Sequence, residues 1–508
     1  MKKEFKYGID KLSVEKALEI SRESIKGILT DEVKERIVKN YNAVQSIVKG
    51  EKLVYSINTG FGSLCTTRIS KEETGVLQEN LLKSHSVGVG SPIDPEISKL
   101  MLILKVHALC MGYSGISFNV VERICWHIDN NYIPLVPMQG SVGASGDLAP
   151  LAHLFLPLIG LGFLTHDNNN YIPAGIVLKE QKLMPIKLEA KEGLALINGT
   201  QFISAHTIKI IEKFSTCLDY ADLIGALSLE GYLASPQPFA EKLIKLRPHS
   251  GAVIVAQRMR KFLENSELVE SHKDCERVQD PYSIRCIAQV HGASRDAFIH
   301  LNKILECELN SVTDNPIVFN ENETYSGGNF HGQPLALPLD YVSLAASELG
   351  NISDRRIFLL LEGKWGLPSN LVTKAGLNSG FMLTQYTSAA LASENKTLCF
   401  PSSADSIPTG AGQEDHVSMA PISARKTLKI INNLEKILAI ELLCASQALD
   451  FRRPLKSSII LEEVHKYVRS KIPHVIKDTV LSDYIKTTLE IIRSKELLKI
   501  TEKALELD

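Results

Sequence analysis

The sequence predicts a mainly α fold, a bundle of long helices with a small region of loops and strands towards the N-terminus. Apolar residues recur at helical spacing over long stretches, strand-like alternation is scarce, and the alternating strand and helix units of a doubly wound sheet are absent. Between Asp31 and Gly50 the side chains Val33, Ile37, Tyr41, Val44 and Val48 return every three or four residues. Thr30 stands where an N-cap is needed and Gly50 where the helix must stop. The same period runs through 201–235, 340–362, 427–451 and 461–506, the last broken at Pro473. Strand signals are best in "KLVYSI" at 52–57 and in a hairpin pattern, "NYIPAGIVLKEQKLMPIKLEA", at 170–190.

No low-complexity linker or fixed repeat divides the 508 residues. We therefore expect one interleaved unit, with an N-terminal region over 1–200 and the long-helix bundle with C-terminal helices over 201–508. Lysine and arginine number 56 against 58 acidic residues, without long runs of like charge. That balance argues against nucleic acid or an anionic membrane as a partner. The nine cysteines are singletons such as Cys65, Cys110 and Cys444, with no CxxC pair. This pattern supports neither a disulfide frame nor a zinc ribbon, so no metal is expected and a reducing, cytoplasmic location is. The start, "MKKEFKYGIDKL", lacks the apolar core of a signal peptide. The most apolar segment, Leu148 to Leu164, is short for a membrane span, contains Pro150, His153 and Pro157, and reads as protein core.

The chemistry is concentrated in loops. In "QGSVGASGDLAPLAHL", residues 139–154, six of the eight residues from Gly140 to Asp147 are glycine, serine or alanine, and an apolar helix follows. A nucleophile elbow would need glycine two places after the serine, where Asp147 stands. The glycine spacings of a phosphate cradle are also missing. An ordinary turn into a helix fits, and so does a backbone that reacts with itself. Attack of the Gly146 amide nitrogen on the Ala144 carbonyl would close a five-membered ring around Ser145, and loss of two waters would leave an exocyclic methylidene. Each residue type suits its part: Gly146 leaves the nitrogen unhindered, Ala144 leaves the carbonyl uncrowded, and Ser145 supplies the departing hydroxyl.

Further loops rich in glycine, asparagine and proline follow the same order as a known family: "SINTGFGSL", "INGTQ", "VQDPYSIRC", "YSGGNFHGQP" and "SIPTGAGQEDHVSMA". With the opening stretch they resemble the aromatic amino acid ammonia-lyases over about residues 50 to 455. The resemblance implies a fumarase/aspartase-like helical architecture and a homotetramer with composite active sites. It also implies a 4-methylideneimidazol-5-one (MIO) cofactor formed from Ala144, Ser145 and Gly146, with no external cofactor. The implied reaction removes ammonia from an amino acid, with loss of a β-proton.

By the same resemblance Tyr55 and Tyr282 are the active-site tyrosines, either of which could take that proton. Arg285, one helical turn after Tyr282, would grip the substrate carboxylate bidentately. Asn198 and Gln279 would complete the polar cage and Phe330 would pack beside the cofactor ring. His85 and Glu414 match the histidine-specific members, where a carboxylate can accept an imidazole N–H. The expected substrate is therefore L-histidine and the product trans-urocanate. Alternatives are a tyrosine or phenylalanine lyase, an aminomutase that returns the ammonia, or a helical scaffold without chemistry; the intact Ser145, Tyr55, Tyr282 and Arg285 speak against the scaffold. Three positions depart from the family pattern: Ser56 replaces a usual glycine, Gly412 a common asparagine and Phe400 a common histidine.

Overall fold

The computed structural model describes residues 3–50 and 73–505, together with Val54, Ile57 and Thr59. Tyr55, Ser56, Cys65 and the strand pattern at 52–57, apart from Val54 and Ile57, lie outside the described residues. The fold is mainly helical, as the periodicity predicts. Helix Asp31–Lys49 begins at Thr30, whose hydroxyl accepts the Val33 amide, and ends at Gly50.

Other boundaries move for identifiable reasons. The helix expected over 340–362 starts earlier and spans Gln333–Leu361, and that expected over 427–451 spans Ala420–Asp450. Each has a proline in its first turn, Pro334 and Pro421, where a missing N–H costs nothing. The hairpin pattern at 170–190 does not form a hairpin. Ile172–Pro173 pairs back onto Phe163–Thr165, and Ala174–Glu180 is helical. Ala174, Val177 and Leu178 are buried together at a spacing of three and four, so the helical period wins over β propensity.

The chain clusters into two compact units, the first comprising Met1–Lys209, Asn302–Leu339 and Pro401–Arg425. Every strand among the described residues lies in this unit, in small sheets of two or three strands, including a parallel pairing of Lys3–Lys6 with Ile25–Ile28. Helix Pro95–Leu109 is buried on nearly every side, which explains its run of leucine, isoleucine and methionine. The apolar segment that starts at Leu148 forms helix Leu148–Phe155 and a following 3-10 turn, both in the core.

The second unit comprises Ile210–Leu301, Asp340–Phe400 and Lys426–Asp508. It takes the greater part of helices Gln201–Gly231, Ile287–Leu309, Gln333–Leu361 and Ala420–Asp450. The pattern over 461–506 resolves into helices Ile459–Lys471, Leu481–Ser494 and Glu496–Leu505, the last two separated by Lys495 at φ +60°. Among the described residues no helix is long and apolar enough to cross a membrane.

Three buried histidines of the first unit tie its stability to pH. Burial pushes His107, His127 and His206 down to about 4. Their depressed values mean that the unfolded chain binds protons first as pH falls, so stability is lost between about pH 6.5 and pH 4. Each ring contributes a loss on the order of 3 kcal/mol at the acid end. Thermal unfolding across that range should show the loss, and replacing His206 with glutamine should reduce it by that ring's share.

Candidate active site

The Ala144–Ser145–Gly146 triplet sits in a turn between the strand Pro137–Gln139 and helix Leu148–Phe155. Ser145 is held at φ +50° and Gly146 at φ +78°. A Cβ on residue 146 would lie 2.2 Å from the Gly199 carbonyl oxygen, so only glycine fits there. The same Gly199 oxygen accepts the Asp147 amide at 2.8 Å. Asp147 is fully buried, and its Oδ2 accepts the Phe202 and Ile203 amides at 2.9 and 3.1 Å, at the start of helix Gln201–Gly231. Burial pushes its carboxyl up to about 8, although the two amides favour the charged form. The turn is thus pinned from behind, with its unhindered nitrogen at Gly146, which suits cyclisation of the triplet.

In front of the turn stands the loop 409–419. Thr409 and Glu414 close it as an antiparallel bridge, and Thr409 Oγ1 donates to Glu414 Oε2 at 2.9 Å. The other carboxylate oxygen, Oε1, accepts Ser145 Oγ at 3.3 Å. The Met419 amide donates to the Val142 carbonyl at 2.9 Å, fixing loop against turn. Gly412 adopts φ +85° with open space around it. Asparagine tolerates that left-handed conformation too, so the departure from the family pattern keeps the backbone.

His85 ends helix Thr74–His85, with Nδ1 3.0 Å from Ser84 Oγ. Burial lowers its pKa, while the Leu81 carbonyl and the nearby Glu414 carboxylate oppose the shift. Serine, glutamate and histidine therefore gather in one place. Asn198 lies behind them, buried at the end of helix Glu192–Ile197. Its Nδ2 donates to Asp314 Oδ1 at 3.2 Å and to the Asn315 carbonyl at 2.9 Å, which leaves Oδ1 without a partner among the described residues. Phe330 is half-buried in a turn before Gly332, where an added Cβ would meet Ser418 Oγ at 3.0 Å.

Gln279, Tyr282 and Arg285 belong to the second unit. Gln279 is exposed, and so is Tyr282, at 71%. One short helical turn, Tyr282–Arg285, carries both side chains and places the guanidinium 4.7 Å from the tyrosine ring centre. Arg285 makes no ion pair among the described residues, and its Nε is buried without a partner. This segment is anchored on either side. Arg277 stacks on Trp365 at 4.4 Å and on Tyr232 at 5.0 Å, and Asp280 accepts the Ser235 amide at 2.8 Å. Arg356, bound through Nη2 to Glu441 at 3.0 Å, reaches the Ser283 carbonyl at 3.4 Å. Tyr282 is thus exposed on an anchored turn, beside an arginine with no ion pair among the described residues.

Thr409, Asp147, Asp314 and Lys105 were not among the residues the sequence pointed to. Lys105 carried a signal nonetheless, as a charge inside the apolar run "LMLILKVHAL".

Comparison with known proteins gives a consistent result. The sequence model of a family described as aromatic amino acid lyase matches residues 12–470. A histidine ammonia-lyase of Natranaerobius thermophilus is 44% identical over 94% of this chain and 94% of its own. A crystal structure of histidine ammonia-lyase from Trypanosoma cruzi superposes with a TM-score of 0.91 at 41% identity, covering 99% of this chain and 95% of that one. The tyrosine aminomutase of Streptomyces globisporus superposes with a TM-score of 0.92 at 31% identity, covering 98% of each chain.

Proposed function

Because the chain belongs to the aromatic amino acid lyase family, we propose that it is an ammonia-lyase that converts L-histidine to trans-urocanate and ammonia. The observation that carries the choice of histidine is the contact of Ser145 Oγ with Glu414 Oε1. Cyclisation of the triplet removes that hydroxyl, so Oε1 loses its protein donor at the moment the cofactor is formed. A carboxylate oxygen left in this position, close to His85, is matched by a substrate ring N–H and has no use for a bare phenyl ring.

Ala144, Ser145 and Gly146 fit 4-methylideneimidazol-5-one, which supplies an electrophilic methylidene for the substrate amino group. The other roles fall to the chain's own side chains. Arg285 binds the carboxylate, Glu414 accepts the imidazole N–H, and His85 lines the ring pocket. Asn198 and Gln279 complete the polar cage, with Phe330 beside the cofactor. Tyr55 and Tyr282 are the candidates for removing the β-proton. The ultraviolet spectra of products formed from histidine, tyrosine and phenylalanine test the reading, since each conjugated product absorbs differently. Faster turnover of tyrosine, or a β-amino acid as product, would replace it with the lyase or aminomutase alternatives.

A homotetramer with composite sites in the cytoplasm completes the proposal. Supporting it, helices Gln333–Leu361 and Met382–Leu398 leave Tyr341, Leu344, Phe358, Leu383 and Tyr386 exposed, an unusual amount of apolar surface for a single chain in water. Light scattering is expected to give four copies, with D2 symmetry. A fully active monomer would contradict it.

A further inference from the structure

We propose that Lys105 is a positioning residue for formation of the cofactor, holding the Asn198–Gly199 segment against which the Ala144–Ser145–Gly146 turn must close. The inference rests on the proposed function, because it presumes that the triplet cyclises. Lys105 projects from helix Pro95–Leu109 into the interior and is 2% exposed. Its Nζ donates to the Asn198 carbonyl at 2.5 Å. The Asn198 side chain is tied separately to Asp314, which accepts Lys191 Nζ at 2.7 Å. Backbone and side chain of residue 198 are therefore both fixed by buried groups. The next carbonyl along the chain, that of Gly199, accepts the Asp147 amide and backs directly onto Gly146.

Ring closure needs this backing. The Gly146 nitrogen must bond to the Ala144 carbonyl carbon. The Ala144 oxygen leaves as one water with the amide hydrogens of Ser145 and Gly146. The Ser145 hydroxyl leaves as the second with its α-hydrogen, and no oxidant is required. An amide nitrogen is a poor nucleophile, so the reaction depends on its being held against the carbonyl. A lysine is costly in an apolar interior, and here its donor satisfies the carbonyl of a buried residue. Burial pushes Lys105 down to about 7, with Asp314 and Asp147 opposing and Lys191 reinforcing the shift, and the neutral amine donates to the carbonyl as the ammonium does.

The test is the intact mass of the full chain, which reads maturation without reference to turnover. Lys105→Met keeps length and loses the donor; Lys105→Arg keeps a donor. Lys99→Met is the control, since Lys99 is also buried on this helix but pairs with Glu23 and Asn131. Circular dichroism checks each fold. We expect the fraction lighter by two waters to fall about tenfold or more in Lys105→Met, to recover largely in Lys105→Arg, and to stay complete in Lys99→Met. Full dehydration of Lys105→Met, or an equal loss in Lys99→Met, overturns the role. If Lys105→Met does not fold, Lys105→Arg decides: a dehydrated chain supports the role and an undehydrated one overturns it. An unaltered chain of full sequence mass would instead overturn the proposed function itself.

Discussion

Replacing Ser145 with alanine is expected to leave a folded protein that turns over histidine about a thousandfold more slowly or worse, a loss of roughly 4 kcal/mol of barrier stabilisation. The ring could still close around residue 145, but without the hydroxyl no alkene forms and the substrate amino group finds no electrophile. Folding should be spared, because the side-chain hydrogen bond removed among the described residues is the 3.3 Å contact to Glu414, whose other oxygen remains held by Thr409. Intact mass then separates cause from consequence: the unaltered chain is expected to weigh two waters less than its sequence, and Ser145→Ala to lack that full deficit. Ser145→Cys is a softer variant, since its sulfur can also leave, and partial activity with partial dehydration is expected. Near-normal turnover by Ser145→Ala would end the cofactor proposal whatever the product.

The architecture was largely legible in the residue pattern where helices are amphipathic and capped, as at Asp31–Lys49, and less so where two signals compete. Residues 174–180 carry β-branched side chains yet bury a helical face, and prolines at 334 and 421 look like breaks although they occupy first turns. The parallel pairing of Lys3–Lys6 with Ile25–Ile28 left no local signal, because its register depends on a partner some twenty residues away.

The site divides in the same manner. The small residues of the 140–147 turn suggest the proposed cyclisation through their order, and Tyr282 and Arg285 share one turn because they are three residues apart. Contacts between distant residues have no such trace: Ser145 and Glu414 are separated by 269 positions, and Asn198 and Asp314 by 116. What the sequence does record is the cost of such contacts, as polar residues in apolar runs. Lys105 among leucines and isoleucines is the clearest, and Asp147 at the mouth of an apolar helix is another.

Specificity gives the last and most exposed prediction. If Glu414 Oε1 accepts the substrate imidazole N–H, Glu414→Gln keeps the shape and an acceptor for Thr409 while losing the charge, and Glu414→Ala loses both. A charge-assisted hydrogen bond contributes about 1.5 to 3 kcal/mol, so histidine turnover should fall at least roughly ten- to a hundredfold in Glu414→Gln and further in Glu414→Ala. Should the carboxylate also help to move charge in the transition state, the fall will lie in kcat more than in KM. His85→Leu should behave differently, weakening histidine while admitting phenyl and phenol rings, because it exchanges a polar wall for an apolar one. Glu414 also contacts Ser145 before the ring closes, so each variant's intact mass must accompany its kinetics, and rates are compared per dehydrated chain. On that basis, normal histidine turnover by Glu414→Ala would remove the histidine assignment and leave the cofactor untouched. A selective loss on histidine, with activity on phenylalanine unchanged or improved, would place the ring-reading contact at Glu414.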